Sequence, residues 1–246
     1  MRLIRNNPLA VFFILYMAYQ SFTSGQFSNP ASWFMDKLFL LPAIIIGLSF
    51  HEFAHAAAAY ALGDQTPKLQ GRVTINPAAH IDPIGFVALI FIGFGWGKPV
   101  QVNPMNFKKM RRDGLLVDLA GVTLNFILAI AFAGVFKLLI LWNPAFLDSY
   151  MGGVVIELIK NIIRINIVLM IFNLLPIPPL DGFGIITEVF DLRKRSFYYQ
   201  LYNNGFMILL LLMILGVTSK VLVPTLIFLL YLIAGIYNIP VLSLIS

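Results

Sequence analysis

Long apolar runs separated by short polar stretches make up most of the chain. Six runs can be traced, at roughly 8–24, 37–62, 114–142, 153–175, 203–219 and 221–242. Most of them approach the ~20 residues that an α-helix needs to cross a bilayer. The pattern therefore predicts an all-α polytopic membrane protein with about six transmembrane helices. We expect residues 218–220 to form the turn between the last two helices.

The region between the second and third runs breaks this pattern. Residues 83–102 read PIGFVALIFIGFGWGKPVQV, which is too short and too rich in glycine to be a secure span. We therefore predict a short re-entrant or β-hairpin-like segment near 70–102.

Composition supports the membrane interpretation and narrows the possible chemistry. The chain is 59% hydrophobic and 11% charged, whereas a soluble domain carries about 25% charged residues. It contains no cysteine and only three histidines. Disulfides, thiolate zinc sites and cysteine nucleophiles are thereby excluded, and His, Asp and Glu are left as the strong metal ligands.

The net charge of +6 is better explained by membrane topology than by a nucleic-acid partner. With six spans, most basic residues lie on one side of the membrane. Short loops rich in Lys and Arg stay in the cytoplasm, so we expect the N- and C-termini to be cytoplasmic. The basic residues on that side are Arg2, Arg5, Lys68, Arg72, Lys98, Lys108, Lys109, Arg111, Arg112, Arg193, Lys194 and Arg195.

The second apolar run contains the sequence His51-Glu52-Phe53-Ala54-His55. On a helix, residues four apart point to the same face, so His51 and His55 can both bind one metal ion. In the H-E-x-x-H pattern the glutamate is not a ligand but the general base for a metal-bound water. The pattern predicts a metal site with Glu52 as a catalytic residue.

The position of this motif within an apolar run strengthens the prediction. Ionisable groups inside a membrane cost several kcal/mol unless they are partnered, so they are functional candidates. The motif lies past the midpoint of the run, toward the cytoplasmic half of the bilayer, and water must reach it from that side. The alternative is that His51 and His55 only hydrogen-bond to neighbouring helices.

A catalytic zinc ion typically has three protein ligands, so a third must be found. Ala58 and Ala61 exclude the H-E-x-x-H-x-x-G-x-x-H extension, and the next glutamate after the motif is the distant Glu157. The remaining candidates are His80 and a distant carboxylate. His80 lies in a turn-rich setting, where a histidine is more often a plain polar residue than a ligand.

The distinctive carboxylate is Asp181, at the end of the sequence Asn173-Leu-Leu-Pro-Ile-Pro-Pro-Leu-Asp181-Gly182. Three prolines break the fourth helix here, and a broken helix in a membrane is tolerated only where it faces protein or a water-filled cavity. Asp181 would emerge at the cytoplasmic half, at the depth expected for the histidines.

HEFAH followed by NLLPIPPLDG resembles the site-2 protease family of intramembrane zinc metalloproteases, in sequence and in order. The resemblance implies one zinc ion bound by His51, His55 and Asp181, with Glu52 as the catalytic acid and base. It covers about 37–190, the expected catalytic core of a single domain that spans residues 1–246. The accessory helices would then be 8–24 and 203–242.

Two further segments, 71–77 and 80–85, are similar to compact bacterial members of the family that lack a PDZ domain. We therefore expect an integral protein of the plasma (inner) membrane of a prokaryote. The resemblance also implies that Asn125 and Asn173 bind substrate backbone or stabilise the oxyanion. Val122 replaces a proline found near this asparagine in many members, and hydrogen bonding between helices is the alternative for both asparagines.

Together these features predict hydrolysis of a peptide bond in or near a transmembrane helix of a membrane-protein substrate, as in regulated intramembrane proteolysis. Extended-looking stretches at 72–76 and 101–103 suggest a strand edge that holds the unwound substrate by main-chain hydrogen bonds. The alternatives are a catalytically inactive scaffold that binds membrane helices, or a metal-binding or transport protein. Transport would require ligands along a whole pathway, and the outer halves of the spans contain no histidine.

Overall fold

The computed structural model describes residues 8–25 and 27–245, and this part of the chain is almost entirely helical. The helices of ten or more residues are α1 (Pro8–Thr23), α2 (Pro30–Ala61), α3 (Pro83–Ile92), α4 (Met110–Trp142), α5 (Tyr150–Asn173), α6 (Asp181–Phe190), α7 (Tyr198–Ile214) and α8 (Val217–Tyr237). Shorter helical turns are Thr66–Leu69, Pro77–His80, Pro104–Asn106, Pro144–Leu147, Leu192–Lys194 and Leu242–Ile245.

All six predicted apolar runs form helices, which confirms the all-α membrane class. By length and composition, α2, α4 and α8 could each cross a membrane. Helix α5 is also long, but Glu157, Lys160 and Arg164 interrupt its apolar surface. Lys160 is buried and pairs with Glu157 at 3.3 Å, as expected for charges inside a membrane protein.

The centre of the molecule is a bundle in which α2, α4 and α5 pack against one another. Helices α6 and α8 pack on this bundle, α6 against α4 and α8 against both α5 and α4. Its apolar part contains many alanine and isoleucine side chains together with Phe136 and Leu230, and the small residues allow close approach of helices in a membrane. Buried members are Ala129, Ala133, Ile159, Ile163, Ile167, Ile233 and Ala234.

A second layer consists of α1, α3 and α7. Helix α1 packs against α7 and α3, and the contacts are mainly aromatic and methionine side chains. The layer meets the bundle through Phe172 of α5. The cluster contains Phe94 and Leu210, both buried, with Phe13, Met17, Trp96, Phe172, Phe206, Met207 and Met213 around them.

The predicted re-entrant segment contains α3 between two arms, residues 70–82 before the helix and residues 94–103 after it. The carboxylate of Asp82 accepts hydrogen bonds from the first N–H groups of α3, and Gly93 ends the helix in the left-handed conformation. The arms meet at an isolated antiparallel bridge between Ile81 and Gly97, and Lys98 N–H donates to the His80 carbonyl at 2.7 Å. Within the described residues the pairing goes no further than this bridge, so the segment is hairpin-like without a sheet.

Several helix boundaries differ from the sequence prediction; α2 begins at Pro30 and not at 37, and α7 begins at Tyr198 and not at 203. Two of the differences have a clear local cause. The turn between the last two helices lies at Leu215 and Gly216, not at 218–220, because Gly216 takes a left-handed conformation (φ 69°) and α8 begins directly after it. Helix α4 begins four residues earlier than predicted, at Met110. There the Asp113 carboxylate accepts the Lys109 N–H at 2.9 Å and caps the helix start.

Candidate active site

Three side chains from two distant parts of the chain meet at one point. His51 and His55 lie one turn apart on α2, and their Nε2 atoms are 3.0 Å apart. Asp181, the first residue of α6, places Oδ2 3.2 Å from the Nε2 atoms of both histidines. These three residues form a group that could hold a metal ion.

The distances fit a tetrahedral zinc ion. With metal–ligand bonds of about 2.0–2.1 Å, the ligand atoms of a tetrahedral site lie about 3.3 Å apart. The observed triangle of 3.0, 3.2 and 3.2 Å is close to this value. Asp181 Oδ2 is also buried and accepts no hydrogen bond, as expected for an oxygen that binds a cation.

The far side of each histidine ring sets its tautomer. His55 Nδ1 lies 2.7 Å from the main-chain carbonyl of Val117, which can only accept, so Nδ1 carries the proton. His51 Nδ1 lies 2.7 Å from Oδ1 of Asn125. With the protons on Nδ1, both Nε2 atoms present lone pairs toward Asp181, and three electron-rich atoms face one another without a proton between them.

Two glycines allow this close approach. A Cβ atom added at Gly121 of α4 would lie 2.6 Å from Cε1 and 2.8 Å from Nδ1 of His51. At Gly182, next to Asp181, an added Cβ would lie less than 3.0 Å from the main chain of Leu174. Side chains at either position would displace a candidate ligand.

Glu52 faces the extended arm that follows α3. Its Oε2 accepts a hydrogen bond from Val100 N–H at 2.9 Å, and Arg72 Nη2 lies 3.9 Å from the same oxygen. Oε1 lies on the side of Gly97, where an added Cβ would be 3.6 Å away. One oxygen of Glu52 is thus fixed by the main chain.

Arg72 holds the two arms together beside Glu52, and the His80 side chain contacts the main chain of the first arm. The buried Arg72 guanidinium donates to the carbonyls of Ala79, at 2.5 Å, and of Lys98. His80 is fully buried, and its Nε2 lies 2.6 Å from the Thr74 carbonyl. His80 is therefore engaged within the loop and is separate from the group formed by the other two histidines.

The two predicted asparagines occupy different settings. Asn125 is fully buried and contacts His51, while the Asn173 side chain donates to the Leu169 carbonyl one turn back on α5, at 3.0 Å. Their assignment to substrate binding or to the oxyanion stays a prediction.

The arm that contacts Glu52 is anchored by Asp64, just after α2. Its carboxylate accepts hydrogen bonds from the Thr66 hydroxyl at 2.6 Å, Asn103 N–H at 2.7 Å and the Asn106 side chain at 2.7 Å. Burial alone would raise the pKa of Asp64, but these hydrogen bonds outweigh it and lower the pKa below the ordinary 3.8. Asp64 thus ties residues 103–106 to the end of α2.

Two basic stretches, residues 108–112 and 193–195, lie side by side near the N-terminal end of α4, which is the end closer to the metal site. The Arg111 guanidinium donates to the Glu188 carbonyl at 2.7 Å, and Arg193 pairs with the Glu188 carboxylate at 2.5 Å. Lys194 lies 2.6 Å from Asp191, and this hydrogen bond lowers the pKa of that carboxyl group. Residues 108–112 and 193–195 therefore share one end of the molecule.

Sequence reasoning missed Asn166, Arg72 and Asp64 as parts of the site. Asn166 lies within the fourth apolar run, as do Asn161 and Asn173, and polarity there is a usable signal because membrane interiors rarely hold an unpartnered amide. Arg72 and Asp64 carry no such signal, since charged residues near the ends of spans are ordinary.

The comparisons with known proteins identify a family and several relatives. The family model described as Peptidase family M50 matches residues 145–216. YwhC of Bacillus subtilis (strain 168), whose name describes a zinc metalloprotease, is 40% identical over 190 residues, which is 76% of this chain and 85% of YwhC. Rip2 of Mycolicibacterium smegmatis, named in the same way, is 27% identical over 190 residues, covering 76% of this chain and 70% of Rip2.

No solved structure matches the chain. The relatives confirm the resemblance to site-2 proteases and the prediction of zinc as the cofactor, for which His51, His55 and Asp181 form a fitting group. The chain belongs to peptidase family M50, the site-2 protease family, and is a membrane zinc metalloprotease.

Proposed function

We propose that this metalloprotease hydrolyses a peptide bond in or near a transmembrane helix of a membrane-protein substrate, in regulated intramembrane proteolysis. His51, His55 and Asp181 hold the zinc ion, and Glu52 is the catalytic acid and base. The observation that carries the proposal is the triangle of ligand atoms, with sides of 3.0–3.2 Å, beside a glutamate on a helix that could cross a membrane.

Zinc, when bound, polarises the scissile carbonyl and acidifies a water molecule. Glu52 accepts one proton from this water on Oε1, because Oε2 is engaged by Val100 N–H. As the water oxygen bonds to the carbonyl carbon and the C–N bond breaks, Glu52 returns the proton to the leaving nitrogen. The products are a carboxylic acid and an amine, and the proton of the acid then passes to the amine or to solvent.

A substrate helix must be unwound before its backbone can reach Glu52. We propose that the extended arm around 97–103 holds the unwound strand by main-chain hydrogen bonds. Support comes from the Val100 N–H bond to Glu52, which places this arm beside the general base. Proline at 101 or 102 should slow cleavage without changing zinc content; unchanged cleavage would rule out strand addition there.

The protein is proposed to lie in the inner membrane of a prokaryote with both termini and the active site toward the cytoplasm. The support is the distribution of basic residues, including the adjacent loops 108–112 and 193–195. The natural sequence has no cysteine, so a single cysteine at Lys108 or Arg195 can be labelled selectively. A membrane-impermeant maleimide should label these positions only after the cells are opened.

The central experiment compares wild type with Glu52→Gln, purified in detergent and reconstituted with single-span membrane peptides. We expect the variant to keep its zinc, measured by elemental analysis, and to lose cleavage by about 10²–10⁴-fold, because the proton acceptor is gone. Asp36→Asn, at an exposed position of α2, is the control for the change in charge and should cleave normally. Mass spectrometry should locate the wild-type cuts in or near the apolar segment.

Equal cleavage by Glu52→Gln would contradict the role of Glu52. Cuts confined to polar segments far from the membrane would contradict the proposed substrate class.

A further inference from the structure

A chain of buried amides connects three helices at the metal site. Asn125 of α4 and Asn166 of α5 are both fully buried. Asn125 Nδ2 donates to Asn166 Oδ1 at 2.8 Å and to the Gly47 carbonyl of α2 at 3.1 Å. Asn166 Nδ2 donates in turn to the Ile162 carbonyl at 2.8 Å. Both amide hydrogens of Asn125 and one of Asn166 therefore have an acceptor.

Main-chain carbonyls at two points determine which way the amides are turned. The Ile162 carbonyl can only accept, so Asn166 must present its nitrogen there and its oxygen to Asn125. Asn125 must then present its nitrogen to Asn166, and the Gly47 carbonyl requires the same orientation. Asn125 Oδ1 is thereby aimed at His51 Nδ1, 2.7 Å away.

This orientation has a direct effect on His51. An oxygen that faces Nδ1 keeps the proton there, which leaves Nε2 unprotonated and turned toward His55 and Asp181. With the opposite orientation, an N–H group would face Nδ1 and favour the proton on Nε2, which cannot then bind a metal.

We infer that Asn125 is a positioning residue that fixes the tautomer and ring orientation of His51 for zinc binding, and that Asn166 fixes Asn125. The inference rests on the proposed function, because it takes His51 as a zinc ligand. It differs from a role in substrate binding. Both N–H groups of the Asn125 amide are already engaged and its side chain is fully buried.

The test measures the zinc dissociation constant of the detergent-purified protein by competition with a chromogenic chelator. Asn125→Leu keeps the approximate volume but removes the acceptor, and we expect it to weaken zinc binding by about 10–100-fold, as for other outer partners of metal-binding histidines. Asn204→Leu, at an exposed position of α7 where the side chain donates to the Gln200 carbonyl one turn back, is the matched control and should bind zinc as wild type does. His51→Ala tests the ligand itself.

A second variant keeps the inference testable if Asn125→Leu does not fold. Asn125→Asp loses the donors to Asn166 and Gly47, as Asn125→Leu does, but keeps an acceptor for His51 Nδ1, and it should therefore hold zinc more tightly than Asn125→Leu does. The visible absorption of the cobalt(II)-substituted protein should change in Asn125→Leu and stay close to wild type in Asn125→Asp, because it reports ligand geometry.

The outcomes distinguish the positioning role of Asn125 from the proposed set of zinc ligands. If His51→Ala weakens zinc binding but Asn125→Leu does not, the positioning role is wrong and the ligand set stands. If Asn125→Leu changes only the KM for peptide, Asn125 acts on substrate instead. If Asn125→Leu does not fold, weak zinc binding by Asn125→Asp overturns the inference. If His51→Ala binds zinc like wild type, the proposed ligand set fails.

Discussion

The central bundle of α2, α4 and α5 and the outer layer of α1, α3 and α7 are held together in different ways. In the bundle, buried polar side chains such as His51, Asn125 and Asn166 contact partners on other helices at 2.7–3.1 Å. In the outer layer, aromatic and methionine side chains surround Phe94 and Leu210.

This difference follows from the lipid that surrounds the helices. Lipid is as apolar as leucine, so apolar contacts between membrane helices specify their positions only weakly, whereas hydrogen bonds have preferred distances and directions. Methionine and aromatic contacts can also be remade when helices shift. We therefore expect changes in the bundle to alter zinc binding and changes in the outer layer to alter stability alone.

The largest loss of zinc affinity is expected from Gly121→Ala in the central bundle. The added methyl group would lie 2.6 Å from His51 Cε1, so the histidine rings must move. Zinc affinity should fall by more than the about 10–100-fold typical of one outer-partner substitution. Gly153→Ala on α5, where an added Cβ meets nothing within 4 Å, is the control and should bind zinc normally. Wild-type zinc content in Gly121→Ala would show that the bundle is more adaptable than its polar contacts suggest.

A cavity in the outer layer should lower the stability of the protein and leave zinc binding unchanged. Leu210 is fully buried, and Leu210→Ala should lower the free energy of unfolding by about 2–5 kcal/mol. The zinc dissociation constant should be unchanged, because the side chain belongs to the aromatic and methionine cluster. Thermal unfolding in detergent and chelator competition measure the two quantities on one sample. Weakened zinc binding in this variant would mean that the two regions are coupled.

The smallest effect is expected from Asp64→Asn, at the edge of the bundle. The amide cannot accept all the hydrogen bonds of the carboxylate, and we expect a loss of about 1–3 kcal/mol. Because the folded pKa of Asp64 is lowered from 3.8, its stabilisation is present above that ordinary value and disappears as the pH falls through the lowered pKa. The difference in unfolding temperature between wild type and variant should therefore be constant near neutral pH and shrink in acid.

Asp36→Asn at an exposed position of α2 controls for the change in net charge. An equal loss of stability in that variant would remove the special role of Asp64.

The sequence predicts six of the eight helices of ten or more residues in the described part of the chain, and α3 and α6 are not among the six. The group of candidate ligands follows from the family resemblance and is found in the structure. The apolar runs predict six helices because length and hydropathy determine which segments can cross a bilayer. The H-E-x-x-H and L-D-G motifs identify His51, His55 and Asp181, and the structure brings these residues together from α2 and α6. The turn before α8 was misplaced because Thr218 and Lys220 look polar, yet the left-handed backbone at Gly216 decides where a helix can end.

What could not be predicted depends on side-chain partners that are distant in sequence. Nothing near Asn125 indicates that Asn166 orients it, and nothing near Glu52 indicates that Val100 N–H fixes one of its oxygens. Such contacts arise only after helices pack, so a pattern read along one segment does not contain them.

The candidate ligands come from two helices that are far apart in the chain, with α4 and α5 between them in sequence. A zinc ion bound by all three would therefore act as a cross-link that closes a long loop, as a disulfide does in secreted proteins, in a chain that has no cysteine. The same ion that activates water would then also restrict how far α6 can move away from α2.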